Sequence, residues 1–257
     1  MRFIGIGFGI AVLSAGASGA IVTKNVSYRE GGTVLEGKLV YDDKKTNRPC
    51  VIVVHDWNGP DAYELGRAKQ LAGMGYTALV ADIYGRGVRP KNNQESAAES
   101  GKYGADRALT RRRIGAAVRY AMGQPQVDKK RIAAIGYCFG GMVVLELARM
   151  GAKVQGVASF HGNLSNPKPN DALLIRTQVL VLHGAADPLV PKAQVAAFEA
   201  EMKKAKKPYK LIAYPNAVHS FSLKHAGNDP STGVAYNAEA DRKSWAELTA
   251  FLKRVFK

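Results

Sequence analysis

The sequence predicts an α/β protein with a mostly parallel sheet of about eight strands, helices on both faces and an N-terminal hairpin. Three observations support this fold class. Short, continuous apolar runs alternate with helical patterns, as they do when parallel strands are buried on both faces. Hydrophobic residues make up 46% of the 257 positions, which is enough for a large buried core. No repeat, low-complexity tract or linker interrupts the alternation, which favours one domain over residues 21–257.

The predicted elements follow from the periodicity of the apolar residues. Residues 23–28 and 33–41 flank Glu30-Gly31-Gly32, a pattern typical of a β-hairpin with a glycine turn. Short apolar runs predict the remaining strands at residues 50–55, 77–81, 131–137, 154–160, 178–183 and 209–214. Apolar residues at helical spacing predict helices at residues 62–74, 107–122, 140–150, 192–204 and 238–256.

Residues 1–20 have the three-part layout of a secretory signal peptide. Arg2 precedes an apolar, uncharged run over residues 3–13, and small residues dominate positions 14–20. The run is too short for a comfortable membrane span. We therefore expect removal of residues 1–20, a periplasmic or secreted location, and no stable membrane span after processing. A glycine-rich N-terminal strand or a retained anchor is the alternative.

The chain is basic, with 37 Lys and Arg against 21 Asp and Glu and a formal net charge of +16. A basic exported protein meets anionic lipid and polysaccharide, so this charge requires no nucleic-acid function. The densest basic clusters, residues 111–113 and 203–207, fall on predicted helices and are interpreted as solvated faces. No nucleic-acid recognition motif is present, and we expect no nucleic-acid partner.

The two cysteines of the chain are not expected to form a disulfide. Cys50 begins a predicted strand, whereas Cys138 follows the end of another. In a parallel sheet these positions lie at opposite edges, beyond the reach of a disulfide. Cys50 is therefore interpreted as a buried, inert residue.

Residues 136–141, Gly-Tyr-Cys-Phe-Gly-Gly, join a predicted strand to a predicted helix. Glycines on both sides of Cys138 let the strand and the helix approach each other closely around a sharp turn. The pattern resembles the G-x-S-x-G turn of α/β-hydrolases, which holds its nucleophile at the central position, and that nucleophile would here be a thiol. The alternative is a small buried cysteine in a glycine-rich packing turn.

Asp187 and His219 also follow predicted strands, at the edge where functional groups collect in parallel sheets. A thiol is mostly protonated at neutral pH, so Cys138 needs a base, and His219 can provide it. Asp187 would hold the imidazole in its useful tautomer and stabilise the charged form. As structural alternatives, Asp187 before Pro188 suits a turn, and His219 suits a loop.

The chain resembles the dienelactone hydrolase family of α/β-hydrolases over most of residues 30–257. The matching segments are residues 55–59, 75–85, 136–141, 183–188 and 219–221. The cysteine in the glycine turn is the specific element, because most α/β-hydrolases have serine there. The resemblance implies an α/β-hydrolase fold and a triad of Cys138, Asp187 and His219. It also implies an oxyanion hole formed by the backbone N–H groups of Trp57 and Phe139.

Two positions depart from the family pattern. Asp56 replaces a glutamate that lies near the nucleophile and is thought to govern its ionisation, so Asp56 is the implied nucleophile-tuning residue. The family's arginine four residues after the catalytic histidine is Leu223 here, which makes the dienelactone itself a doubtful substrate. Arg86, Arg89 and the basic segment near Arg107 could bind a carboxylate instead, but solvated loop and helix charges are the favoured interpretation.

The predicted function is hydrolysis of a small ester or lactone through an acyl-enzyme on Cys138, without cofactor or metal. No histidine shows metal-ligand spacing; His55 and His183 are interpreted as core or supporting residues, and His161 could line the pocket. A thioesterase or acyl transferase remains open, as does an exported binding or redox-sensing protein with Cys138 as an oxidisable thiol. We expect a monomer or weak dimer.

Overall fold

The computed structural model describes residues 19–257, so most of the predicted signal segment lies outside the described residues. The strands are β1 (Ile21–Glu30), β2 (Thr33–Asp42), β3 (Arg48–Val54), β4 (Thr77–Ala81), β5 (Val127–Tyr137), β6 (Gly156–Phe160), β7 (Gln178–Gly184) and β8 (Tyr209–Tyr214). The helices are α1 (Ala62–Gly73), α2 (Asn93–Ala105), α3 (Arg107–Met122), α4 (Phe139–Arg149), α5 (Lys192–Lys204) and α6 (Ala238–Val255).

The eight strands form one sheet in the order β1-β2-β4-β3-β5-β6-β7-β8. The β1–β2 hairpin is antiparallel, and β2 pairs antiparallel with β4. All the other pairings are parallel, with Ile52 of β3 opposite both Leu79 and Ala134. The predicted fold class, a mostly parallel sheet with an N-terminal hairpin, is confirmed.

Both faces of the sheet are buried, and β3 shows why its sequence is continuously apolar. Cys50, Ile52 and Val54 pack against the side that carries α3, α4 and α5, whereas Val51 and Val53 pack against the side that carries α1 and α6. All five side chains are fully buried. Burial of one aliphatic side chain contributes roughly 1.5–3 kcal/mol, so an alternating polar strand could not replace this one.

Helix α2 is absent from the elements that the sequence predicts. Its residues are mostly polar or small, and only Ser96 and Tyr103 are buried. Asn92 caps the helix by accepting the N–H of Glu95, and the Tyr103 hydroxyl donates to the Tyr84 carbonyl at 3.1 Å. Capping and a single aromatic anchor therefore hold a helix that has no apolar stripe.

Between residues 19 and 257, no helix is long and apolar enough to cross a membrane.

Both cysteines are free, as predicted, and Cys50 is fully buried. Burial raises the pKa of the Cys50 thiol to about 12, which leaves it protonated at neutral pH.

Candidate active site

Cys138 occupies a sharp turn between β5 and α4, with φ 51° and ψ −112°. The flanking glycines are required by the close approach of the backbone. A Cβ on Gly136 would lie 2.0 Å from the carbonyl oxygen of Gly140, and one on Gly140 would lie 2.5 Å from the carbonyls of Val54 and His55. The turn therefore needs glycine at both positions, and a positive φ at a cysteine is backbone strain of the kind found at functional sites.

The structure brings together the three residues of the predicted triad. The His219 Nε2 atom lies 3.1 Å from the Cys138 sulfur, and Nδ1 lies 2.8 Å from an Asp187 carboxylate oxygen. The other oxygen of Asp187 accepts the N–H groups of Leu189 and Val190. The Asp187 carboxylate is thus fixed by its own turn and has one oxygen left to bind the imidazole. Carboxylate, imidazole and thiol are therefore connected by two successive contacts.

The charges around His219 favour its protonated form. Burial alone would lower the pKa of the imidazole, but the Cys138 sulfur and the Asp187 carboxylate outweigh burial and raise the pKa from 6.5 to about 10. A proton that leaves the thiol is therefore held on His219. A cysteine nucleophile needs a base that accepts its proton, and His219 is placed beside Cys138 to be that base.

Two backbone N–H groups beside Cys138 have no partner within residues 19–257, and they belong to Trp57 and Phe139. The Trp57 loop is held by two buried groups. The His55 Nδ1–H donates to the Asp56 carbonyl at 2.6 Å, and the Tyr84 hydroxyl donates to the Trp57 carbonyl at 3.0 Å. Burial lowers the pKa of His55 to about 4, so its ring is neutral. The free N–H groups have the chemistry that an oxyanion hole requires.

A cavity of about 250 Å³ opens beside the Cys138 sulfur. Helix α2, which the sequence did not predict, forms one wall through Ser100, Gly101 and Gly104. Because these residues are small, they leave room for a ligand. The remaining lining includes Trp57, Arg107, Phe139, Met142, Asn163, Leu189, Val190 and His219.

Comparisons with known proteins identify the family of the chain. The family model described as the dienelactone hydrolase family matches residues 35–256. The chain belongs to the dienelactone hydrolase family. The solved structure of P91, a dienelactone hydrolase-like promiscuous phosphotriesterase from metagenomic libraries, is 37% identical over 93% of this chain and all of that chain, with a TM-score of 0.88. The structure named m3DLH is 36% identical over the same shares, with a TM-score of 0.89.

A curated relative supports the same assignment. A Methylorubrum extorquens protein with the provisional name carboxymethylenebutenolidase is 27% identical over 80% of this chain and 72% of its own length. As a member of the dienelactone hydrolase family with this fold, the protein is a carboxylic-ester hydrolase.

Asp56, the residue that replaces the family's glutamate, hydrogen-bonds its own loop. Its carboxylate accepts the backbone N–H of Asn58 at 2.8 Å and the side-chain amide of Asn58 at 3.4 Å. Among the hydrogen bonds of residues 19–257, none joins Asp56 to Cys138. Burial raises the pKa of Asp56 to about 6, with Asp61 acting in the same direction. Its tuning of Cys138 stays a prediction.

Arg107 is not the solvated helix charge favoured from the sequence. Its side chain is only 13% exposed, whereas Arg86 and Arg89 are 57% and 36% exposed. The Nη2 atom donates to the Ser165 hydroxyl at 3.1 Å, but Nε and Nη1 are buried without a hydrogen-bond partner. The burial comes from α4 and the Ser165 loop, which the periodicity of α3 cannot indicate. Arg107 is therefore a largely buried positive charge that lines the cavity, in a chain that has leucine at position 223.

Among the other histidines, His55 and His161 fit supporting roles, and His161 does so in a way that the sequence did not reveal. His161 is 1% exposed and contacts the backbone N–H of Cys138 rather than open pocket space. Within residues 19–257, no group of three or more His, Cys, Asp and Glu residues could hold a metal ion.

Proposed function

We propose that the protein hydrolyses a small ester or lactone through a thioester on Cys138, with His219 as general base and acid and Asp187 as its orienting partner. One observation carries the proposal. The Cys138 sulfur lies 3.1 Å from an imidazole whose other nitrogen is bound to a buried carboxylate, next to two free backbone N–H groups.

In the acylation step the thiolate attacks the carbonyl carbon of the ester. The carbonyl oxygen becomes negative and accepts the N–H groups of Trp57 and Phe139. The carbon–oxygen bond to the leaving group then breaks while the His219 imidazolium transfers its proton to the departing alkoxide. The products of this step are an alcohol and an acyl thioester on Cys138.

In the deacylation step neutral His219 removes a proton from a water molecule, and the hydroxide attacks the thioester carbon. The same two N–H groups stabilise the second oxyanion. Collapse of this intermediate breaks the carbon–sulfur bond, restores the Cys138 thiolate and leaves His219 protonated. The released carboxylic acid loses its own proton to solvent.

The cavity favours a small acyl group with an anionic end. Its volume of about 250 Å³ suits a metabolite-sized ligand. Arg107 is one of the residues that line the cavity, and its guanidinium group is a fixed positive charge that attracts a carboxylate. We infer that the natural substrate carries a carboxylate, which Arg107 binds in place of the arginine that position 223 lacks.

The test uses p-nitrophenyl acetate and protein kept reduced. Cys138→Ala and His219→Ala should each abolish hydrolysis, because one removes the nucleophile and the other its base. His225→Ala, a change at an exposed histidine outside the triad, is the matched control and should keep full activity. Equal activity in all three variants and the parent would refute the proposal.

Inactivity of the parent protein would favour the alternative functions. A thioesterase or acyl transferase would act on acyl thioesters instead. A binding or redox-sensing protein would hydrolyse neither, and Cys138 would form a reversible sulfenic acid with peroxide.

Phosphotriester hydrolysis is a second candidate activity, because the relative P91 is described as a promiscuous phosphotriesterase and is 37% identical over 93% of this chain. Hydrolysis of paraoxon that disappears in Cys138→Ala would support it. Ester hydrolysis with no activity on paraoxon would exclude it.

We also propose that residues 1–20 direct the protein to the periplasm or outside the cell and that the mature chain is a monomer or weak dimer. N-terminal sequencing of the exported protein should begin at residue 21. Light scattering of the same sample tests the oligomeric state.

A further inference from the structure

His161 lies between the two segments that carry the proposed nucleophile and base. It follows β6 with φ 38°, a left-handed backbone conformation that is uncommon outside glycine. Its own N–H donates to the Leu182 carbonyl at 2.8 Å, which continues the pairing of β6 with β7. The sheet therefore fixes the backbone of His161, and the strained conformation persists because these contacts hold it.

Both ring nitrogens of His161 make hydrogen bonds. Nδ1 lies 3.2 Å from the backbone nitrogen of Cys138, whose N–H it shares with the Phe160 carbonyl, and Nε2 lies 2.9 Å from the Ser222 hydroxyl oxygen. An amide N–H can only donate, so Nδ1 must be the acceptor and Nε2–H must donate to Ser222. These contacts select one neutral tautomer.

The electrostatic surroundings agree with a neutral ring. Burial lowers the pKa of His161 well below its ordinary value, and His219, Arg67 and His183 act in the same direction. A protonated ring would direct an N–H at the N–H of Cys138, so the neutral form is also the one that the contact with the turn requires.

The hydrogen-bond chain continues from Ser222 to Arg67 and Asp241, whose side chains are 11% and 13% exposed. The Tyr63 hydroxyl donates to the Ser222 hydroxyl at 3.0 Å, and Arg67 Nε donates to the Tyr63 oxygen at 3.1 Å. Arg67 is in turn held by an ion pair with Asp241 of α6. The Ser222 hydroxyl is thus held by Tyr63 as well as by His161, and Ser222 also lines a separate cavity of about 560 Å³.

We propose that His161 is a positioning residue that sets the distance between the Cys138 sulfur and the His219 imidazole. It binds the backbone of the nucleophile turn through Nδ1 and, through Nε2, binds Ser222, which follows His219 by three residues. Its ring also contacts the His219 ring edge-on, with centroids 5.3 Å apart. This inference rests on the proposed function, since it assumes that His219 generates the Cys138 thiolate.

The expected consequence concerns the ionisation of Cys138. The sulfur and Nε2 of His219 are 3.1 Å apart, and a hydrogen bond weakens as its atoms separate. If the link through His161 is lost, we expect a weaker hydrogen bond between the Cys138 sulfur and His219. The thiol should then lose its proton at a higher pH.

The test measures the pH at which alkylation of Cys138 by iodoacetamide reaches half its maximal rate, with kcat and KM for p-nitrophenyl acetate. Peptide mapping confirms the modified residue. Ser222→Ala removes the acceptor of Nε2. His161→Gln keeps a donor near Nε2 but loses the acceptor at Nδ1, whereas His161→Asn keeps only that acceptor. Ser244→Ala is the matched control, because Ser244 is buried and its hydroxyl donates only to a backbone carbonyl of its own helix.

Ser222→Ala and His161→Gln should each raise the alkylation midpoint, the pH of the half-maximal rate, by about 0.5–1 pH unit. Each should also lower kcat about tenfold and change KM less than about twofold. His161→Asn should fall between His161→Gln and the parent, and Ser244→Ala should match the parent. A merely structural role would lower the folded fraction without moving the midpoint. Where His161→Gln yields no folded protein, Ser222→Ala decides the question.

An active parent whose midpoint and kcat are both unchanged by Ser222→Ala would overturn the inference and leave the proposed function intact. A parent without esterase activity, whose Cys138 is alkylated only near pH 8.5, the ordinary range of a free thiol, would overturn both.

Discussion

Arg149 and Arg107 approach the same buried carboxylate, Glu146, but use their guanidinium groups differently. Arg149 is 1% exposed and donates hydrogen bonds to Glu146, to both oxygens of Glu201 and to two backbone carbonyls. Arg107 lines the cavity and donates from Nη2 to Ser165. Its Nη1 atom lies 3.9 Å from a Glu146 oxygen, and neither Nε nor Nη1 makes a hydrogen bond within residues 19–257. Burial of a charge therefore does not by itself indicate its role. A guanidinium with every donor used holds the fold, whereas one that lines a cavity with only part of its donors used is the one that we expect to attract an anionic ligand.

The largest effect is expected at the fully paired arginine. Arg149→Met leaves Glu201 buried without its cation and leaves Glu146 paired with Arg111 but not with Arg149, which should lower the free energy of unfolding by about 3–5 kcal/mol. Urea denaturation of the variant and the parent measures the difference. The folded fraction should keep its esterase activity. A loss below about 1 kcal/mol would show that the network is replaceable and would weaken the comparison.

Asp56 extends the comparison to a buried carboxylate that forms no salt bridge within residues 19–257. Its pKa is raised to about 6, so the folded state holds the proton more tightly than the unfolded state does, and the resulting stability is present at low pH. That contribution is lost as pH rises from about 4 through 6. The free energy of unfolding of Asp56→Asn should therefore rise by about 2–3 kcal/mol relative to that of the parent between pH 4 and 7. Above pH 7 the difference between the two proteins should stay constant. A constant difference across this range would contradict the assignment.

The same variant tests the predicted tuning role of Asp56. If the carboxylate governs the ionisation of Cys138, Asp56→Asn shifts the midpoint of iodoacetamide alkylation. Because the carboxylate hydrogen-bonds Asn58 rather than Cys138, we expect a shift smaller than that of His219→Ala. An equal or larger shift would place Asp56 in direct control of the thiol.

Arg107→Met should change substrate preference rather than stability. The measurement compares kcat/KM for p-nitrophenyl hemisuccinate, which carries a carboxylate, with that for p-nitrophenyl butyrate, which does not. In the variant, kcat/KM for the charged ester should fall about tenfold, which corresponds to about 1.4 kcal/mol, and kcat/KM for the neutral ester should fall less than about threefold. Arg86→Met, at an arginine that is 57% exposed, is the matched control and should leave both unchanged. Equal losses for both esters would remove Arg107 from carboxylate binding.

The smallest effect is expected at an exposed ion pair. Lys210 and Glu247 approach within 2.7 Å but are 52% and 38% exposed, so solvent screens their attraction. Lys210→Met should change the free energy of unfolding by less than about 1 kcal/mol in the urea measurement used for Arg149→Met. A loss as large as that at Arg149 would mean that burial is not what separates the two pairs.

Most of the sheet could be predicted because parallel strands buried on both faces leave a strong signal. The continuous apolar run of β3 is an example, since its side chains fill the cores on both sides. Helix α2 could not be predicted in this way. It buries only Ser96 and Tyr103, so capping by Asn92 and contacts made elsewhere in the chain decide its existence.

The approach of Cys138, Asp187 and His219 could be predicted because each follows a strand at the same edge of the sheet. The burial of the Arg107 side chain could not be predicted, because a helical pattern does not show which neighbouring elements cover a long side chain. The contact between His161 and the Cys138 N–H was also hidden, because it depends on a positive φ at a residue other than glycine. Topology is readable from the sequence, whereas individual contacts at the site depend on backbone details.

The central claim is that His219 converts Cys138 into a reactive thiolate. The most direct measurement is the rate of iodoacetamide alkylation of Cys138 against pH, in the parent protein and in His219→Ala, with residual ester hydrolysis followed in the same samples. The account predicts a midpoint well below pH 8.5 in the parent, loss of hydrolysis in step with alkylation, and a midpoint near or above 8.5 without His219. A midpoint near 8.5 in both proteins, with hydrolysis surviving alkylation, would contradict it.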